Sequence, residues 1–98
     1  MMDFRKLQKD VYQNKVDKGF NTTDVNKEFC LTYAELAEAY DAWLKKKDDV
    51  GEELADVVIF VMGLSEILGV DLESEIINKN SKRVYKTVDG VLMKVKSE

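Results

Sequence analysis

The chain contains no histidine, which excludes a histidine triad, a histidine general base and any His-ligated zinc site. Its one cysteine, Cys30, allows neither an intrachain disulfide nor a thiolate zinc cluster. Proline is absent too, so nothing in the chain forbids long unbroken helices. Long apolar runs are also missing. The longest, Leu54 to Leu64, is interrupted by Asp56 and is far shorter than a bilayer span, so no membrane association is expected. Whatever chemistry exists must run on carboxylates, amines, amides and hydroxyls. At 98 residues the sequence reads as one domain, 1–98, with 45% hydrophobic and 35% charged residues, too apolar for disorder. A chain this short buries roughly two-thirds of its unfolded surface, so its own core is marginal and an oligomer is expected.

The net charge of −4 is unevenly distributed. Residues 1–27 carry six basic and four acidic side chains, residues 28–75 three basic and thirteen acidic, and residues 76–98 six basic and two acidic. A basic–acidic–basic chain lacks the basic excess of a nucleic-acid binder, and no nucleic-acid partner is expected. The acidic centre fits either a solvated face or a site that holds cations, with anions held by the basic ends. Met1–Asp10 is charged and has no apolar stretch, unlike a secretory signal. A cytoplasmic, reduced protein is therefore expected, and the Asn21-Thr22-Thr23 sequon match is read as chance.

Periodicity and punctuation predict four helices and a hairpin. The first spans about 3–18, with Phe4, Leu7, Val11, Tyr12 and Val16 at helical spacing and Gly19 after its end. The second spans about 25–46, with a stripe of Phe29, Tyr33, Leu36, Ala37, Tyr40, Trp43 and Leu44. The third, about 50–68, begins with Asp49 and Glu52 in capping-box spacing and ends at Gly69. The fourth runs about 71–85 from an Asp71 N-cap. Asp89-Gly90 between two valine-rich runs predicts a hairpin over about 84–95.

Helix three carries Glu53, Asp56, Phe60, Gly63, Leu64 and Ile67 at three- and four-residue steps, so both acids extend an apolar stripe. An ionised acid there needs a metal, a proton, or a Lys or Arg from a neighbouring segment. Helix two carries Glu35 and Glu38 on one face with Leu31, Ala34, Ala39 and Ala42, opposite the aromatic stripe. Alone, that pair reads first as an exposed polar face. Two antiparallel helices joined by a short lysine-rich loop can place all four carboxylates around one point, and Mg²⁺ is the hard cation that suits such oxygens. Metal held this way offsets polyphosphate charge. Lys79, Asn80, Lys82 and Arg83, with Lys15 and Lys18, supply donors for phosphates, and Phe20, Trp43 or Tyr85 offers a face to a base or packs in the core.

Three stretches, Glu35-Leu36-Ala37-Glu38-Ala39-Tyr40-Asp41-Ala42-Trp43, Gly51-Glu52-Glu53-Leu54-Ala55-Asp56-Val57 and Leu68-Gly69-Val70-Asp71-Leu72, resemble the MazG-like nucleoside triphosphate pyrophosphohydrolases of the all-α NTP pyrophosphatase superfamily. The resemblance covers about 15–85. It implies an all-α, four-helix bundle, a homodimer or homotetramer, and Mg²⁺ as cofactor with Mn²⁺ as a substitute. The implied reaction converts a (d)NTP to a (d)NMP and pyrophosphate by metal-activated water. Glu35, Glu38, Glu53 and Asp56 would hold the metal, with Glu38 as the base. Lys79, Asn80, Arg83 and Tyr85 would face the phosphates and base, joined by Lys15 and Lys18. The chain departs from many relatives at Ala34, where a second acid stands, at Ile76, where a lysine stands, and at Asp89-Gly90 in place of His-Gly. A non-catalytic oligomeric helical module with an acidic interaction face is the alternative.

Overall fold

The computed structural model describes residues 2–82, 84–88 and 90–95, with side chains for 2–82, 90 and 91. The fold class is all-α. Helices α1 (Phe4–Asp17), α2 (Val25–Leu44), α3 (Val50–Ile67) and α4 (Leu72–Lys82) follow one another. Strands β1 (Val84–Val88) and β2 (Val91–Val95) then pair antiparallel, with Val84 opposite Val95 and Val88 opposite Val91. Helix four therefore ends at Lys82 and not near Tyr85, because β-branched Val84 and aromatic Tyr85 belong to the ladder.

Local chemistry sets most helix ends. Asp3 and Asp24 have extended backbones and accept hydrogen bonds from the amides of Lys6 and Lys27, so each caps its helix. Asp71 does the same for α4 by accepting from Ser74 N. The capping box expected at the start of α3 does not form. Asp49 makes no side-chain cap bond, because its backbone (φ −101°, ψ 16°) is not in the extended form that aims a carboxylate at the first turn. At the C-termini α1, α2 and α3 share one motif, in which a left-handed residue lets the next amide reach back five residues. Gly19 and Gly69 take that position at φ 70°, and Lys46 takes it at φ 56°.

Helix α3 is the centre of the packing, with α1 and α2 both against it and α4 resting on α1. Its buried stretch is Met62–Ser65. Gly63 leaves room for the stem of Lys15, since a Cβ there would lie 3.1 Å from Lys15 Cδ. Helix α2 presents Glu28, Ala39 and Ala42 inward, all buried, with Thr32 and Glu35 half-buried on the same line. Helix α1 contributes Gln8, which is fully buried. Gln8 donates to Glu66 Oε1 (3.0 Å) and Val70 O (2.8 Å) and accepts from Leu72 N (3.3 Å), fastening the α3–α4 connection.

The aromatic stripe of α2 is on the outside. Tyr33 is 69%, Tyr40 61% and Trp43 63% exposed, with Leu36, Leu54 and Val58 half-exposed nearby. Tyr40 and Trp43 stack on each other, centroids 6.1 Å apart. The Cα radius of gyration, 16.5 Å, exceeds the ~12–13 Å of a compact chain of this length. Among the described residues, no helix is long and apolar enough to cross a membrane.

Candidate functional site

Three of the four carboxylates singled out from sequence converge. Glu35 and Glu38 of α2 and Glu53 of α3 each offer an oxygen within 4.8 Å of the others. Burial raises the pKa of Glu35, and the charge and shared hydrogen bond of Glu38, then Asp56 and Glu53, add to the rise. Glu53 is raised for the same first reason, reinforced by Asp49, Glu38 and Asp56 and opposed by Lys47. Among the described side chains no lysine or arginine forms an ion pair with these three glutamates.

Asp56 departs from the apolar-stripe expectation. It is exposed and stands outside the converging set, although its charge reaches Glu35 and Glu53. The strip of α3 that carries it is covered two turns later, where Lys15 crosses Gly63, and lies open at Asp56 itself. The apolar-stripe reading of Asp56 therefore does not describe the single chain. Asp49 enters instead. Its Oδ1 is buried without a hydrogen-bond partner, one turn before Glu53. The capping role expected of it hid this in the sequence.

The donor set fits a hard cation. It consists of oxygens only, has no ion-pair partner among the described side chains, and its oxygens lie within 4.8 Å of one another, against the ~4.2 Å that separates trans ligands around Mg²⁺ at ~2.1 Å. No curated protein, solved structure or protein-family model matches this sequence.

A cavity of about 400 Å³ lies on the same α2–α3 face, lined by Lys15, Phe20, Asn21, Glu28, Leu31 and Phe60 among others. A smaller one beside it shares Lys15, Phe20 and Phe60. Lys15 donates to both oxygens of Glu28 (3.1 Å each), Asn21 Nδ2 donates to Oε1 (3.1 Å), and the ammonium sits 5.2 Å from the Phe60 ring centre. Glu28 was missed from sequence. The signal was there, since Glu28, Thr32, Glu35, Ala39 and Ala42 follow at 4-3-4-3 spacing and mark the inner line of α2.

The other predicted contacts are scattered. Lys15 reaches the cavity but is already paired, so it is not a free phosphate donor. Lys18 is exposed at the end of α1, and neither cavity is lined by it. Lys79 and Asn80 are exposed on α4, whose main packing is against α1. Arg83 and the side chain of Tyr85 lie outside the described residues, as does Asp89 of the hairpin turn.

Proposed function

We propose that this chain is a Mg²⁺-dependent nucleoside triphosphate pyrophosphohydrolase of the MazG-like kind. One observation carries the reading: an oxygen-only acidic cluster and an aromatic-walled cavity share one face of α2–α3, seven residues apart on both helices. Glu28 precedes Glu35 by seven, and Phe60 follows Glu53 by seven. Two helical turns are ~10 Å, about the reach from a nucleobase to its α-phosphate. Phe20 and Phe60 offer the base its faces, and Glu35, Glu38 and Glu53 meet the phosphate end, with Asp56 as the fourth carboxylate from the solvent side.

When bound, Mg²⁺ neutralises phosphate charge and acidifies water. Glu38 accepts the proton as a water oxygen bonds to the α-phosphorus. The bond from that phosphorus to the bridging oxygen breaks in line, and pyrophosphate leaves with the bridging oxygen and its electron pair. Glu35 and Glu53, whose proton affinities are raised by burial and by neighbouring carboxylates, are the groups whose negative charge a bound cation would stabilise. The same proposal includes a homodimer or homotetramer that covers the exposed α2–α3 apolar face, consistent with the large radius of gyration.

A panel of nucleoside triphosphates, assayed for pyrophosphate release with Mg²⁺ or EDTA, tests the reading. Glu38→Gln is expected to keep its fold and lose turnover by ~100-fold or more. Wild-type turnover in that variant would remove Glu38 from the role. The exposure of Asp56 favours one rival, the non-catalytic module with an acidic face. No Mg²⁺-induced rise in melting temperature, together with no release from any triphosphate, would favour that rival.

A further inference from the structure

The proposed site has a direction. If the base occupies the Phe20–Phe60 cavity and the α-phosphate meets the acidic cluster, the β- and γ-phosphates extend onward along the same seam. That leads to the turn where α2 ends and α3 begins, the segment Lys45–Asp49. Its three consecutive lysines had no assigned role.

The backbone separates these lysines. Lys45 lies on the outer surface, its ammonium 2.9 Å from Asp41 of its own helix. Lys46 takes the left-handed conformation, and this reversal lets Lys47 N donate to Ala42 O at 3.0 Å. Ala42 belongs to the buried line that also carries Glu35 and Ala39. Lys47 is thus an exposed residue of the turn at the end of α2, past Glu38 and before Glu53 in the chain and at the end of the α2–α3 pair away from the cavity.

We propose that Lys47 binds the pyrophosphate portion of the substrate, receiving the β- and γ-phosphates beyond the acidic cluster. The assignment rests on the hydrolase reading for its direction, and it moves the phosphate contact from α4 to the α2–α3 turn. One lysine at that place supplies a charge-assisted hydrogen bond to an oxygen that gains charge as the leaving group departs.

The test is calorimetric binding of inorganic pyrophosphate with Mg²⁺, alongside steady-state kinetics on the full chain. Lys47→Ala is expected to weaken magnesium pyrophosphate about tenfold or more, the size of one charge-assisted hydrogen bond. The KM for triphosphate should rise in parallel, with the Mg²⁺-induced rise in melting temperature unchanged. Lys47→Arg should recover most of the affinity, and Lys45→Ala should stay within about twofold of the wild type, its lysine being spent on a surface pair. The proposal is overturned if the wild type does not bind magnesium pyrophosphate. It is also overturned if Lys47→Ala binds like the wild type, or if Lys79→Ala alone takes the loss. Lys47-dependent binding without hydrolysis of any triphosphate would sink the hydrolase reading and leave this site standing. An active enzyme indifferent to Lys47 would do the reverse.

Discussion

Glu35 and Glu53 hold a proton more tightly in the fold than a free glutamate does, and this sets a pH dependence with a definite sign. Their folded-state pKa values lie above the ordinary 4.5, so above that pH the native state retains protons that the unfolded chain has released. Their contribution to stability is complete below 4.5 and is lost as pH rises through the raised values. In EDTA these two groups should therefore pull the melting temperature down as pH rises from 4.5, and Glu35→Gln should lessen that pull. Added Mg²⁺ should raise the melting temperature more at neutral than at acid pH, which thermal melts across the range will show. A slope of opposite sign that Glu35→Gln leaves unchanged would contradict the assignment. Glu28 is the buried partner of an ion pair. Glu28→Ala strands Lys15, whose side chain is only 11% exposed, and should cost ~3 kcal/mol in urea unfolding.

The ends of the helices offer an internal comparison. Three C-termini use the same left-handed motif, and only α2 builds it without glycine. A non-glycine residue there costs ~1–2 kcal/mol in backbone energy, so Lys46→Gly should stabilise the fold by ~1 kcal/mol in chemical denaturation. The N-termini differ in a similar way. Asp24→Ala removes a working cap and should cost ~1 kcal/mol. Asp49→Ala removes no cap bond and relieves repulsion on Glu53, so it should cost clearly less or stabilise. Equal losses at the two positions in urea melts would contradict this reading. Most helix boundaries were legible in sequence to within two residues, because caps and glycines are local. The end of α4 was not, since Val84 and Tyr85 fit a helical stripe as well as a strand until pairing with β2 decides between them.

At the level of the whole molecule, the exposed α2 face is the feature most at odds with a chain acting alone. Trp43, the sole tryptophan, sits on it and reports on it. If copies cover this face, Trp43 fluorescence should move to shorter wavelength as protein concentration rises. Leu36→Glu, placed beside the Tyr40–Trp43 stack, should abolish that shift and give a monomer in sedimentation. A monomeric wild type at all concentrations would remove the proposed oligomer.

Length and composition alone indicated a marginal core and a chemistry of oxygen donors, because both follow from counting residues. Local sequence likewise decided where helices start and stop, and that Glu35, Glu38 and Glu53 fall on helix faces able to converge. Only tertiary packing decided which faces those were. Helix α2 has two usable faces, and periodicity identifies both without ranking them. The small side chains Ala39 and Ala42 let α2 settle closely on α3, and this turned Glu28 and Glu35 inward and the aromatics outward. The same docking left Asp56 at the surface and buried an unbonded oxygen of Asp49. A carboxylate's environment depends on what lies across from it, and one strand of sequence does not contain its own neighbours.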